Sequence, residues 1–292
     1  MAYQSVASRL TPIRWVPMLS TISTPTRPIL RYFGGKWQNA NRIIAHFPHH
    51  KIYVEPYCGA ASVLLRKPRS HAEVINDLDD DVVNLFRILR EPESARRLAE
   101  VLRLTPFARK EFDDSFVQSE DQIEKSRRFV CRSYMGFGND AATRKSTGFR
   151  SHTTRKGSIP AHDFASWPDY IEAFTARLRG VIVESRPALD ILKAYDSDDT
   201  LFYLDPPYPR GTRNGHARYR HEMNDDDHRA LAEVARRVKG KVIISGYACE
   251  LYDVELYPDW DRLEWKTYAD SASPRIEVLW VSPQSGQLTF FR

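Results

Sequence analysis

The sequence predicts an α/β fold, and three observations lead there. From about residue 29 onward, short β-branched and aromatic runs alternate with longer amphipathic segments. Two of the short runs end in turn-forming residues of the kind that collect ligands beyond the carboxyl ends of parallel strands. The 292 residues, 42% of them apolar, suffice for a large core, either one big domain or one domain carrying a substantial insert, and exclude a disordered or fibrous chain.

In chain order, residues 1–28 come first and carry Arg9, Arg14 and Arg27, no acid, and many Ser, Thr and Pro. Arginine and serine without acids fit an organelle transit peptide, but prolines at 12, 17, 25 and 28 break any amphipathic helix, so a disordered tail is expected. Strands are predicted at 52–55 (IYVE), 73–76 (EVIN), 201–204 (LFYL), 242–245 (VIIS) and 277–281 (EVLWV), runs rich in the residues that suit a buried sheet. Between them, apolar residues at helical spacing predict helices over 38–47, 60–66, 80–90, 92–102 and 226–238. The alternation fails between 105 and 179, where the chain turns helical, then loop-rich and basic. That stretch is expected to be an insert dividing a domain made of 29–104 and 180–292.

Net charge is +5 with a pI near 9.0, compatible with an anionic partner. The charge is concentrated: residues 123–160 hold nine Lys or Arg, among them Arg128, Arg132, Arg144, Lys145, Arg150 and Arg155, against two acids. Gly136, Phe137, Gly138, Phe149 and Gly157 are interleaved, a combination that suits a surface tracking phosphates and touching bases, or equally a solvated basic loop. Cys58, Cys131 and Cys249 give neither a disulfide framework nor zinc spacing, which predicts a reducing, cytoplasmic setting. No apolar run approaches the ~20 residues that cross a bilayer.

Two segments carry chemistry. In 53–63 (YVEPYCGAASV) a strand ends at Glu55-Pro56 and leads through Gly59 into a small-residue helix start, which is a cofactor loop in form. The phosphate-loop pattern and the full dinucleotide fingerprint are both missing. Asp77, at the tip of the next strand, is placed to accept hydrogen bonds from ribose hydroxyls, or to cap the helix that follows. In 201–208 (LFYLDPPY) a buried strand feeds into Asp205, Pro206, Pro207 and Tyr208. Prolines lack N–H groups, so this turn accepts hydrogen bonds and donates few, as an exocyclic amino group requires, and Tyr208 offers a flat face to a base.

With these segments in order, the chain resembles the Dam-like, alpha-class DNA N6-adenine methyltransferases that use S-adenosylmethionine. RYFGGKW at 31–37, EPYCGAAS at 55–62, NDLD at 76–79, a variable basic insert, DPPY at 205–208, the run from His228 to Tyr247, and RIEVLWV at 275–281 follow the family's sequence of motifs. The resemblance implies a Rossmann-like methyltransferase sheet with an inserted, mostly helical and loop-rich target-recognition region. It implies that Tyr32, Gly35 and Lys36 contact the cofactor, Lys36 near its carboxylate. Glu55, Pro56 and Gly59 would shape the methionine pocket and Asp77 would hold the ribose, while Asp205 would stand between cofactor and base. Arg213, in the basic run after DPPY, joins the insert's arginines and lysine as an expected contact to double-stranded DNA. The cofactor turn departs from the family pattern in one place: it reads G-A-A, with Ala61 in place of a second glycine.

On this reading an adenine is flipped from the duplex, Asp205 and the Pro206 carbonyl receive its amino hydrogens, and the nitrogen attacks the sulfonium methyl. No cysteine is expected as a nucleophile, and no metal is expected. The run from His221 to His228 mimics a metal cluster, but three adjacent aspartates before a helix are expected to cap it. His49 and His50 are expected on the surface after Pro48. Aspartate at 205 favours adenine over N4-cytosine methylation; a catalytically silent DNA-binding relative is the alternative of another class. The protein is expected to act as a monomer or weak dimer.

Overall fold

The computed structural model describes residues 24–138, 148–153, 159–212, 219–268 and 274–285. One seven-stranded sheet runs in the order β3-β2-β1-β4-β5-β7-β6. Its strands are β1 (Ile52–Glu55), β2 (Ala72–Asn76), β3 (Ile182–Glu184), β4 (Thr200–Leu204), β5 (Lys241–Tyr247), β6 (Asp261–Tyr268) and β7 (Pro274–Val281). The first five are parallel, and β7 enters antiparallel between β5 and β6. The order reverses direction between β1 and β4. Such a switch point opens a crevice at the carboxyl ends of the two strands.

Alternate residues of each strand enter opposite layers, as a period of two requires. Tyr53, Ile75, Leu201, Tyr203, Ile243 and Leu279 face one core. Val54, Val74, Phe202, Leu204, Val242 and Trp280 face the other. The second layer is closed by α9 (Ala188–Ala194) and α10 (Asp225–Ala235). Over the first layer lie α1 (Ala40–Ile44), α2 (Ser62–Arg66), α3 (Asp80–Arg90) and α4 (Pro92–Arg103), together with the insert helices α5 (Arg109–Asp114), α6 (Gln122–Met135), α7 (Pro160–Ala165) and α8 (Ile171–Leu178). Phe129, Trp167 and Phe174 of the insert are wholly buried in the same cluster as Leu85 and Phe86 of α3, so insert and sheet domain share one core.

An ion cluster seats the insert on the sheet. Glu73 of β2 accepts from both terminal nitrogens of Arg177 on α8, at 2.6 and 2.9 Å, and from Lys67 Nζ at 2.7 Å, all three side chains being buried. Burial alone would raise the Glu73 carboxyl, but the two cations outweigh it and hold it below the ordinary range.

The helix over 80–90 falls where the periodicity places it, because Asp79 caps it through the Asp81 N–H and acids fill its first turn. Two strands escape the apolar-run criterion. β3 is three residues long at the sheet edge, and β6 (DRLEWKTY) is an edge strand in which polar residues alternate with Leu263 and Trp265. The tail boundary shifts as well, since residues 24–28 include a buried Pro25 and an Arg27 tied down by α7. The Arg27 guanidinium donates to Ser166 Oγ and the Asp163 carbonyl and lies 5.1 and 5.0 Å from the rings of Tyr134 and Tyr170.

Candidate active site

The crevice at the switch point contains a cavity of about 550 Å³. Tyr32, Gly35, Lys36, Glu55, Pro56, Gly59, Asp77, Asp205 and Pro207 all line it, although they come from four separate stretches of chain.

The turn after β1 forms one wall, and it is lashed to the end of β2. Cys58 N–H donates to the Asn76 carbonyl at 2.9 Å, Gly59 N–H to Asp77 Oδ2 at 2.9 Å, and Asn76 Nδ2 to the Pro56 carbonyl at 2.9 Å. Gly59 has φ +46°, and a Cβ there would sit 2.8 Å from the Tyr32 ring, so only glycine lets the two stretches meet. Ala61 also takes left-handed backbone, at φ 47° and ψ 38°, just before α2. Ala61 thus holds the left-handed conformation that a glycine would take freely, at a local cost of about 1–2 kcal/mol. The Ser62 hydroxyl beyond it lines the cavity, buried and without a hydrogen-bond partner.

Two carboxyls of this wall are perturbed by burial. Asp77, which also accepts from Asp79 N–H at 2.9 Å, is pushed up to about 6. Glu55, accepting from the Tyr53 hydroxyl at 2.9 Å and Leu64 N–H at 3.2 Å, is pushed up to about 8 and so carries its proton at neutral pH. Burial raises the Cys58 thiol too, and takes Cys131 to about 12, which leaves both protonated.

The opposite wall is the D-P-P-Y turn at the end of β4. Asp205 Oδ1 accepts from Lys36 Nζ and from Ser245 Oγ, each at 2.8 Å, and Tyr203 stands 3.0 Å behind Ser245. Lys36 is 5% exposed and also donates to the Gly34 carbonyl at 2.8 Å. Burial would lower its ammonium, yet Asp205 and Glu277 together raise it, so it stays charged. Lys36 is thus engaged by the protein's own carboxylates at the rim of the cavity it lines. Tyr208 departs from expectation. Its ring is buried under Lys36 Nζ, 4.8 Å from the centroid, and meets Tyr247 edge-on at 4.7 Å, while its hydroxyl donates to Glu277 Oε1 at 2.5 Å. Next to it, a second cavity of about 590 Å³ is walled by Pro209, Thr212, Tyr247, Cys249 and Arg275, among others.

The segment after this turn folds back over the first cavity. Tyr219 meets Phe33 edge-on at 5.4 Å, and Arg220 pairs with Asp79 at 2.7 Å and Asp81 at 3.1 Å. Asp81 also binds Arg132 of α6 at 2.9 Å, and Arg132 donates to the Ser115 carbonyl. Arg132 is therefore a largely buried brace between insert and α3, paired with Asp81. Arg128 is tied to Glu124 at 2.6 Å and to the Val117 carbonyl at 2.7 Å, and Arg150 donates to the Tyr134 carbonyl at 3.1 Å, both staying part-exposed. Arg144, Lys145, Arg155 and Arg213 lie outside the described residues.

The aspartates at 225–227 open α10 as caps. Asn224 accepts from Asp227 N–H, and the Asp227 carboxylate accepts from Asn224 N–H in return. His228 is buried with its ring nitrogen 2.9 Å from the Tyr252 hydroxyl, and His50 is half-buried against the Pro48 carbonyl and Ser70 rather than free on the surface. Ser245 and Glu277 carry no site role in the sequence reading, whereas Tyr219 and Arg220 belong to the basic run after DPPY. Ser245 ends one predicted strand and Glu277 begins another, and a lone polar residue bordering an apolar run is the available signal.

Residues 32–269 match the family model described as D12 class N6 adenine-specific DNA methyltransferase. Among curated proteins, the chain is 26% identical over 226 residues to a DNA adenine methylase of Vibrio cholerae, covering 72% of this chain and 76% of that one. It is 25% identical to a DNA adenine methylase of Haemophilus influenzae (75% and 77% covered) and 23% identical to that of Escherichia coli K12 (72% and 75%). The family match spans most of the sheet, the insert, both walls of the cavity and the D-P-P-Y turn, and on that extent the chain belongs to the D12 class of N6 adenine-specific DNA methyltransferases.

Proposed function

We infer that the protein transfers a methyl group from S-adenosylmethionine to the N6 amino group of an adenine flipped out of double-stranded DNA. The observation that carries this reading is the convergence, in one cavity, of a nucleoside-type wall around Asp77 and the acceptor turn at Asp205.

The residues present fit the cofactor. The Asp77 carboxylate faces the cavity as an acceptor for ribose hydroxyls, the orphaned Ser62 hydroxyl needs a partner that a polar ligand would provide, and the Gly59 turn leaves room for close approach. Tyr32, Gly35, Glu55 and Pro56 would enclose the methionine portion. Bound there, S-adenosylmethionine supplies an electrophilic methyl group.

The rest is positioning by this chain. Asp205 is fixed by Lys36 and Ser245 through one oxygen, which leaves the other to accept an amino hydrogen of the base, with the Pro206 carbonyl as second acceptor. Drawing both amino hydrogens away from the ring keeps the nitrogen lone pair available for attack, and most of the acceleration comes from this alignment. Tyr247, part-buried beside the second cavity and next to Tyr208, offers the accessible aromatic surface for a base. The insert, with Arg128 and Arg150 at its surface and further basic residues between 139 and 158, would read the flanking duplex. No metal enters this scheme.

The deciding experiment incubates the protein with methyl-labelled S-adenosylmethionine and unmethylated double-stranded DNA, then separates the nucleosides. Label in N6-methyldeoxyadenosine supports the reading. Label in N4-methyldeoxycytidine, or tight DNA binding with no label, overturns it. Asp205→Ala serves as control and abolishes transfer while DNA binding persists.

A further inference from the structure

Resting on that functional reading, we propose that Glu277 is a positioning residue of the methyl-transfer site, anchoring Tyr208 through its hydroxyl and thereby setting the D-P-P-Y turn against Lys36.

Glu277 lies on β7, some seventy residues away in sequence, and is brought to the site only because β7 enters the sheet antiparallel to β5. The register sets Glu277 opposite Tyr247, at the carboxyl end of β5 where the Tyr208 ring rests. There the carboxylate is 3% exposed. It receives the Tyr208 hydroxyl at 2.5 Å and stands 3.8 Å from Lys36 Nζ, with Oε1 facing both.

A buried carboxylate is costly unless paired and hydrogen-bonded, so its presence at this point calls for a role. Three contacts define the Tyr208 ring: Lys36 over its face, Tyr247 at its edge, and Glu277 at its hydroxyl. The first two are weakly directional. Only the hydrogen bond to Glu277 fixes how far the ring reaches and how it is turned. Since Tyr208 follows Pro206 and Pro207, whose backbone has little freedom, the side chain's anchor is transmitted to the turn that presents the Pro206 carbonyl. Glu277 touches neither Asp205 nor, on this reading, the base. It acts chiefly through Tyr208, whose hydroxyl it holds, with Lys36 as the cation it shares with Asp205.

The test compares wild type, Glu277→Ala, Glu277→Gln, Tyr208→Phe and the double variant Tyr208→Phe/Glu277→Ala. Each is assayed for labelled methyl transfer at a temperature below every melting point. Glu277→Ala is expected to lower kcat by about ten- to a hundredfold, the scale of an ångström-level misplacement, with KM for S-adenosylmethionine within roughly threefold. Glu277→Gln keeps an acceptor oxygen and is expected to recover most of that loss. Tyr208→Phe removes the same hydrogen bond from the other side, so the double variant is expected to be no slower than Glu277→Ala alone. If Glu277→Ala does not fold, Tyr208→Phe carries the test by itself through the same fall in kcat.

A purely structural role would lower the melting temperature and leave kcat unchanged. That result, or multiplicative losses in the double variant, or a Gln variant as slow as Ala, would overturn the inference. Wild-type protein that transfers no methyl to adenine would instead remove the functional reading on which it rests.

Discussion

Replacing Lys36 with methionine keeps most of the side chain's apolar stem but deletes the cation that contacts both Asp205 and Glu277. At an effective dielectric of ~20, the 2.8 Å contact to Asp205 represents roughly 6 kcal/mol of gross attraction and the 3.8 Å approach to Glu277 roughly 4 kcal/mol. Desolvation offsets much of this, and removing one partner from a buried cluster typically costs about 3–5 kcal/mol net, which is the loss of stability expected for Lys36→Met at pH 8. The loss has a characteristic pH dependence. Lys36 has a raised folded-state pKa, so its own contribution is fully present at and below neutrality and is constant between pH 5 and 8. Without it, the two neighbouring carboxylates gain affinity for protons in the folded state. The folded variant then binds more protons than the unfolded chain, and its stability falls as pH rises. The penalty measured at pH 8 should therefore shrink by at least about 1.4 kcal/mol, one pKa unit, at pH 5.5. Urea unfolding of both proteins at the two pH values, with m-values compared to exclude a change in denatured-state compactness, checks this. A penalty below about 1 kcal/mol at pH 8, or an equal penalty at both, would refute the argument that this lysine is a buried bridge.

Three further outcomes are expected. Cofactor affinity should decline as pH falls through about 6, because ionised Asp77 is the stronger acceptor for ribose hydroxyls; calorimetric titration with S-adenosylhomocysteine should show a loss of up to roughly tenfold per unit below 6, and Asp77→Asn should flatten it. At Ala61, Gly should be tolerated or stabilising by up to about 1 kcal/mol, whereas Val, β-branched in left-handed backbone and fully buried, should cost more than ~2 kcal/mol, read as a drop of several degrees in Tm. Arg177→Ala should destabilise by about 3–5 kcal/mol; since Glu73 is held below its ordinary range, its contribution is present above pH 4.5 and lost as pH falls through the folded value, so acid unfolding should begin at higher pH in the variant.

How much of this is legible in the sequence depends on the range of the forces involved. Periodicity and turn chemistry act over a few residues, and they place β1, β2, β4, β5, the boundaries of α3, the tight turn at Gly59 and the carboxyl-end aspartates Asp77 and Asp205. Strand ends and parallel topology then direct those residues to one crevice, and so the text alone already pairs a nucleoside wall with an acceptor turn. Composition also marked the insert as basic, since charge is counted residue by residue.

Pairing is another matter, because it is settled between segments that meet only after folding. Arg132 and Lys36 look in the sequence like cations awaiting a phosphate or a carboxylate from outside. In the fold each is desolvated beside an internal carboxylate, Asp81 or Asp205, and desolvation makes that neighbour binding. Glu277 is one acid in an apolar strand until the antiparallel register of β7 sets it opposite Tyr247, and no local rule states that register. Tyr208 reads as an exposed platform after two prolines, yet burial beneath Lys36 and the bond to Glu277 turn it inward. Local sequence rules are enough to say which chemical groups stand at the ends of the strands. Tertiary structure alone decided which of them face each other, since the free energy of a buried charge is set by partners brought from elsewhere in the chain.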